Sequence, residues 1–274
     1  RSTPSNSSAA SDVYKRQALS RNRKLLAPFV VSAVFSFITL YILYLAPSRP
    51  VSIVLGPPIR AFFGERFLHY PNSIYLLPKL FYYAQIVVNS TIGLIMTGLA
   101  IGFVKDAYNK EDLKTSADLA VSFKRYFVLL GIWAVMFLSM FLISELIRKV
   151  FSYYGAGQLL TDSLVYIAGI LAQVIFIYAL PIAILEKKGL LGSLKQGLLF
   201  LKKFFFTTIV LIIVPAAVYL PLIVLSQYIP QLINKLWPEV VIIALVLGII
   251  ATFIIDIFFT CAPAFLLLQN KDEK

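Results

Sequence analysis

Six apolar runs, each long enough to cross a lipid bilayer, constrain the fold of this 274-residue chain more than any other feature. A hydrocarbon core of about 30 Å needs roughly 20 helical residues at 1.5 Å each. Backbone groups in lipid must be hydrogen-bonded within the protein, and barrel strands are only about 10 residues long, so the runs predict α-helices and an all-α fold. The predicted spans are Leu25 to Leu45, Leu80 to Val104, Tyr126 to Ile147, Leu164 to Leu185, Phe204 to Leu225 and Val240 to Leu268.

The composition agrees with a multi-pass integral membrane protein. Hydrophobic residues make up 59% of the chain and charged residues 14%, and the mean hydropathy is +0.85. Soluble proteins have about 45–50% apolar and 25% charged residues. No connection between the runs is long enough for a further domain, so residues 18–274 are predicted to form one six-helix transmembrane bundle. Residues 1–17 are Ser-rich and resemble translated adapter sequence, and they are predicted to be a non-native or disordered extension.

The positive charge is divided unequally between the two sides of the predicted bundle. The net charge is +12, and eighteen of the 25 Lys and Arg residues lie in the termini and loops of one side. The positive-inside rule therefore places both termini and these loops in the cytoplasm of a prokaryotic cell. Basic residues near a membrane attract anionic headgroups by about 1 kcal/mol each, so we expect lipid partners and no nucleic acid. The candidate headgroup contacts are Lys124, Arg125, Lys187, Lys188, Lys202 and Lys203.

Similar sequences recur where the chain enters and leaves the membrane. The odd spans are entered through RKLLAPF from Arg23, KRYFVLL from Lys124 and KKFFFTT from Lys202, each with two basic residues first. Two even spans end with LPIAILE from Leu180 and APAFLLL from Ala262, which share a proline at the second place. The pattern favours three hairpin repeats. The alternative is that two basic residues before an apolar run mark any cytoplasmic entry into the membrane.

Two cytoplasmic loops are predicted to hold amphipathic helices that lie in the membrane interface and lead into odd spans. In the loop before the fifth span the leucines follow helical spacing, while polar and basic residues occupy the other faces. Residues 112–125 repeat this pattern, and Thr115 with Asp118 resembles a capping box. The spaced leucines are Leu190, Leu194, Leu198 and Leu201.

Three polar residues inside the spans form a candidate intramembrane polar cluster. Asp256 lies in the middle of the sixth span, where an ionisable group costs about 2.5–3.5 kcal/mol. We align the second, fourth and sixth spans at the positions where they leave the membrane. In this alignment Asn89, Gln173 and Asp256 lie on one helix face and within about 6 Å of one another along the helix axis. Such a cluster either holds helices together by hydrogen bonds or forms a polar ligand or ion path. A third possibility is that Asp256 alone faces a water defect.

The sequence contains no motif for catalysis or metal binding. Its one histidine, His69, has no carboxylate or cysteine nearby, and its one cysteine, Cys261, allows neither an intramolecular disulfide nor a cysteine-based metal site. The Walker, GxSxG and HExxH motifs are absent. We therefore predict no cofactor and no enzymatic activity.

The segment PIAILEKKGLLGSLKQGLLFLKK resembles a group of prokaryotic six-helix membrane proteins. These are related to the membrane domain found with some glycerophosphodiester phosphodiesterases. The matching residues are Pro181, Glu186, Lys187, Gly189 and Leu194. The resemblance covers about a tenth of the chain and implies a membrane module of poorly known function. No phosphodiesterase domain is present, so the resemblance does not imply hydrolysis.

The predicted function is that of a non-catalytic integral membrane protein that organises lipids or protein partners at the cytoplasmic face. The alternative is a transporter or permease that uses the intramembrane polar cluster. An intramembrane enzyme ranks third.

Overall fold

The structure is a computed structural model, and it describes residues 23–155, 157–212, 217, 221 and 237–272. All regular secondary structure within these residues is helical, which confirms the predicted all-α fold. The helices are α1 Ala27–Tyr44, α2 Val51–Phe63, α3 Asn72–Val88, α4 Leu94–Tyr108, α5 Thr115–Tyr153, α6 Gln158–Phe176, α7 Ala179–Leu185, α8 Leu190–Lys203 and α9 Val240–Asp272.

Five helical segments among the described residues are long and apolar enough to cross a membrane. They correspond to the first, second, third, fourth and sixth predicted spans. The predicted fifth span begins with a helix over residues 205–212, and most of its remainder lies outside the described residues, as do residues 1–17. The five segments are Lys24–Tyr44, Asn72–Tyr108, Thr115–Tyr153, Leu160–Leu185 and Val240–Asp272.

A π-helical turn, Asn89–Gly93, joins α3 to α4 within the second of these segments. A π turn interrupts the regular hydrogen bonding of an α-helix. At this turn the hydroxyl of Tyr126 in α5 donates to the Ser90 carbonyl at 3.0 Å. This bond ties α5 to the helix that it follows in the chain.

The main core lies where α4, α7 and the C-terminal half of α9 meet, and each of these helices contacts the other two. Ile101, Ala183 and Ala264, one from each helix, are fully buried. The positions that align the exits of the even spans are also buried, and they are Ala100, Pro181 and Pro263. Among the described residues, the largest cluster of buried apolar side chains therefore lies at the end of the bundle where the even spans finish.

Small residues let α4 and α5 approach each other closely. A Cβ atom added at Gly102 would lie 2.6 Å from Cγ of Asp118, and one added at Gly98 would lie 2.7 Å from Oγ of Ser122. Two small residues four apart are a common means of close packing between membrane helices. The approach brings Asp106, one turn beyond Gly102, to the start of α5.

The predicted amphipathic helix before the fifth span is α8, and the predicted leucine face is only part of its packed surface: Leu201 is buried, and Leu190 and Leu194 pack against the core. Leu198 is exposed, whereas Gly197 lies against the backbone of α7, where an added Cβ atom would be only 3.3 Å from the Ala179 nitrogen. Close contact with α7 decides which face is buried, and that contact needs small residues. The buried residues of α8 are Ser193, Gly197, Phe200 and Leu201.

The amphipathic helix predicted over residues 112–125 is not a separate element. From Thr115 onward its residues are the first turns of α5, which continues without a break to Tyr153. The predicted capping box is wrong, because the N-cap residue is Lys114 and no side chain of the helix caps it. Instead, Oδ2 of Asp106 accepts a hydrogen bond from the Lys114 backbone nitrogen at 3.0 Å. A buried acid from α4 has replaced the local cap.

Candidate functional site

Three of the six predicted headgroup contacts line one cleft. Lys124 and Arg125 project from α5, Lys187 comes from the turn between α7 and α8, and Val121 completes the wall. The cleft has a volume of about 160 Å³, and we call its four lining residues the basic cleft. Three of its four lining residues are basic and none is acidic, while the surface that they present to the cleft is mostly apolar. The arrangement suits an anion that is attached to an apolar group.

The turn that carries Lys187 is held from two sides. Lys187 itself has a φ of 54°, a left-handed conformation that is uncommon for residues other than glycine. Nη1 of Arg125 donates to the Lys188 carbonyl at 3.2 Å, and the Ser193 hydroxyl donates to the same oxygen at 3.4 Å. Both α5 and α8 thus fix the backbone of the turn, so Lys187 is placed at the cleft by its neighbours.

Glu186, directly after α7, links α7 to the middle of α8 and to the end of α9 beside the cleft. Its Oε2 accepts a hydrogen bond from Nε2 of Gln196 in α8 at 2.6 Å. Its carboxylate also forms ion pairs with Nζ of Lys188 at 3.2 Å and Nζ of Lys271, near the end of α9, at 3.7 Å. The Lys188 ammonium in turn contacts the amide oxygen of Gln196. We call these four residues the Glu186 network.

The Glu186 network predicts an acid-sensitive contribution to stability. Burial raises the pKa of Glu186, but the hydrogen bonds from Gln196 and Lys188 and the charge of Lys271 outweigh it and hold the pKa below its ordinary 4.5. A carboxylate with a lowered folded pKa stabilises the fold above its unfolded pKa and loses that contribution as the pH falls through the folded value. We expect Tm to fall below about pH 4.5, and Glu186→Gln to reduce this dependence.

Tm measured on both proteins between about pH 3 and pH 6 checks this expectation. Glu65→Gln is the control, because Glu65 is an exposed acid in a separate ion pair with Arg60. Identical acid dependence in the wild type and in Glu186→Gln would contradict the role of Glu186.

The other predicted headgroup contacts lie outside the basic cleft. Lys188 belongs to the Glu186 network. The Lys203 ammonium contacts the side-chain oxygen of Asn270 and lies 5.1 Å from the ring centroid of Phe204. Lys202 is exposed on α8. The structure therefore brings together Lys124, Arg125 and Lys187 and gives two of the remaining three to contacts within the protein.

The structure does not join the members of the intramembrane polar cluster by hydrogen bonds. Asn89 is exposed at the start of the π turn, Gln173 is half-buried in α6, and Asp256 is exposed on α9. Within the part of the chain that is described, these three side chains share no hydrogen bond with one another. The cluster stays a prediction.

Sequence reasoning missed two polar residues that organise this end of the bundle. Asp106 is 1% exposed and caps α5, and Gln196 bonds Glu186. A signal for them exists in the sequence. Asp106 lies about one and a half helical turns after Ala100, and Glu186 lies about as far after Pro181, where Ala100 and Pro181 are the aligned exit positions of the second and fourth predicted spans. Each of these acids forms a hydrogen bond with the helix that comes next. The recurring acid indicates a link between a span and its following helix.

The comparisons with known proteins give no identity. No protein-family model matches the chain, and neither the curated proteins nor the solved structures contain a match. The resemblance to the phosphodiesterase-associated membrane domain therefore stays a prediction. Its key residues have structural positions here, because Pro181 is buried in α7, Glu186 centres its network and Gly189 is the N-cap residue of α8. Across the described ranges, no group of three or more His, Cys, Asp or Glu side chains could hold a metal ion.

Proposed function

We propose that this chain is a non-catalytic integral membrane protein whose basic cleft binds anionic lipid headgroups and so organises lipids, or protein partners, at the cytoplasmic face. The observation that carries the proposal is the convergence of Lys124, Arg125 and Lys187, from two separate parts of the sequence, on one cleft. An arginine with two lysines supplies both bidentate and single hydrogen bonds to phosphate oxygens.

The surroundings of the basic cleft favour a phospholipid over a free anion. Next to the cleft residues in sequence, α5 exposes Phe123 and Phe127 and α8 exposes Leu191. Phe127 is 81% exposed and Leu191 is 79% exposed, which would be costly in water and is favourable against acyl chains. A ligand with a charged head and an apolar tail satisfies both surfaces at once.

The proposed topology has six spans, three hairpin repeats and both termini in the cytoplasm of a prokaryotic cell. Two observations support it. The aligned exits of the even spans are all buried, and α4, α7 and α9 contact one another. The charge asymmetry supports the inward orientation of the basic cleft. A transporter that uses Asn89, Gln173 and Asp256 is the less favoured alternative, because the described residues show no contact that assembles them.

Binding of anionic phospholipid to the purified chain tests the proposal. Arg125→Gln and Lys187→Gln should each weaken the binding about five-fold, since a basic residue near a lipid surface contributes about 1 kcal/mol. Native mass spectrometry of the chain with phosphatidylglycerol and with phosphatidylcholine measures the affinities. Only the anionic lipid should respond to the substitutions.

Lys195→Gln is the matched control. Lys195 is an exposed lysine of α8 that does not line the basic cleft, so its loss should change the affinity less than two-fold. Equal weakening by all three substitutions would mean that diffuse charge attracts the lipid. Unchanged affinity in Arg125→Gln and Lys187→Gln would overturn the proposal.

A further inference from the structure

A second cavity lies at the end of the bundle opposite the basic cleft. Glu239, directly before α9, lines it, whereas Lys271 near the other end of α9 contacts the Glu186 network. The 33 residues of α9 separate these two ends by about 50 Å at 1.5 Å per residue. The cavity has a volume of about 300 Å³, is open on one side, and is lined by the end of α1 and the residues after it, by the start of α3 and the residue Tyr70 before it, and by the residue before α9. We call it the Glu239 cavity.

The lining of the Glu239 cavity combines one negative charge with aromatic and apolar surface. Glu239 is the one formally charged side chain among the lining residues. Tyr44 and Tyr70 contribute aromatic rings, and Leu43 and Leu77 contribute apolar surface. Leu77 is 2% exposed, so the apolar wall is part of the packed interior. A volume near 300 Å³ is at the lower limit for small-molecule sites, which points to a small ligand.

Two further features of the lining favour a cation. Tyr44 is the last residue of α1, and the C-terminal end of a helix carries partial negative charge. Desolvation and the charge of the Glu239 carboxylate raise the pKa of Tyr70, which places this ring next to the acid. An anion would be repelled by Glu239, and a neutral apolar solute would desolvate the carboxylate without balancing its charge.

We propose that the Glu239 cavity binds an ammonium group with a small apolar substituent, either as the head of an amine-bearing lipid or as a free organic amine. The carboxylate balances the charge of the ammonium group. The rings of Tyr44 and Tyr70 attract the cation through their π faces, as aromatic cages do for quaternary ammonium ligands. The leucine wall contacts the substituent.

Choline and its uncharged isostere 3,3-dimethylbutan-1-ol are the probes, because they share a shape and differ in charge. The full chain is purified in maltoside detergent, which contains no amine, and binding is measured by calorimetry and by the fluorescence of Trp237 in a Trp133→Phe background. Choline should bind at least about ten-fold more tightly than the alcohol. Glu239→Gln should reduce this preference several-fold, because only the attraction of the two rings remains, and Tyr44→Leu should weaken choline binding several-fold.

Glu65→Gln is the control, since Glu65 is an exposed acid that does not line the Glu239 cavity. It should bind choline as the wild type does. Equal affinity of the wild type for choline and the alcohol, or a preference that is undiminished in Glu239→Gln, would overturn the proposal. The comparison of the two probes on the wild type decides the matter even if a variant does not fold.

Reconstituted samples distinguish the two sources of the ammonium group. Nanodiscs of phosphatidylglycerol alone are compared with nanodiscs that also contain phosphatidylethanolamine. If added phosphatidylethanolamine lowers the apparent affinity for choline, the cavity takes lipid headgroups. If the affinity is unchanged, the cavity takes free amines. Failure at this cavity leaves the basic cleft untouched, because the two sites are tested with different residues and ligands of opposite charge.

Discussion

Gly102→Ala should lower the stability of the bundle, although alanine is the better helix former. The added Cβ atom would lie 2.6 Å from Cγ and 2.8 Å from Cβ of Asp118, so α4 and α5 would have to move apart. Overpacking of this kind costs about 1–3 kcal/mol, whereas the gain in helix propensity is at most about 1 kcal/mol. Gly102→Leu should prevent close packing altogether. Unfolding of the purified variants, by heat and by denaturant, measures both effects.

Gly248→Ala is the matched control for this prediction. Gly248 also lies within a long apolar helix, but a Cβ atom there would meet no heavy atom within 4 Å. We therefore expect unchanged or slightly higher stability, as helix propensity alone would give. In the double variant Gly102→Ala, Asp118→Gly the combined cost should be less than the sum of the single costs, since the clashing side chain is gone. Equal stabilisation by both alanines would show that α4 and α5 do not pack as described.

Asp106→Ala should destabilise the start of α5 by about 1–3 kcal/mol. The change removes the acceptor for the Lys114 backbone N–H, which Asp106 holds at 3.0 Å from a position that is 1% exposed. Asp106→Asn keeps an acceptor oxygen at nearly the same place and should remain close to the wild type. Hydrogen exchange of the Lys114 amide separates the two variants, with protection lost in the alanine variant and kept in the asparagine variant.

Asp112→Ala tests whether any acid in this loop has the same effect. Asp112 is exposed, so its removal should leave both the stability and the Lys114 protection unchanged. Equal loss in Asp106→Asn and Asp106→Ala would mean that the negative charge, and not the acceptor, stabilises the helix start. No loss in either would contradict the cap.

The features that the sequence predicted well depend on solvent and local periodicity. In lipid, the backbone N–H and C=O groups of a run such as Val240 to Leu268 can all be hydrogen-bonded within the run only if it is a helix. The secondary structure of the run therefore follows from its composition. The leucine spacing of the loop before Phe204 likewise predicted the helix that is now α8.

The features that the sequence did not predict depend on contacts between distant residues. Thr115 and Asp118 match a capping box, but Asp106 reaches the helix start first and the local cap is not formed. Gly197 brings α8 against α7, so the most buried face of α8 is the one that contains Gly197 and not the one predicted from the leucine spacing. Glu186 was recognised in a motif, yet its partner Lys271 lies at the far end of the chain. Local patterns carry no information about which side chain arrives from elsewhere.

The sidedness of the two ends of the bundle can be measured directly with single cysteines in a Cys261→Ala background. Ser48 lines the Glu239 cavity, and Lys195 lies on α8, near the basic cleft in sequence. Both native side chains are exposed, so Ser48→Cys and Lys195→Cys are suitable labelling sites. A membrane-impermeant maleimide should label Ser48→Cys in spheroplasts and Lys195→Cys only in inverted vesicles. Labelling of Lys195→Cys in spheroplasts would place the basic residues outside and contradict binding of cytoplasmic anionic lipid at the basic cleft.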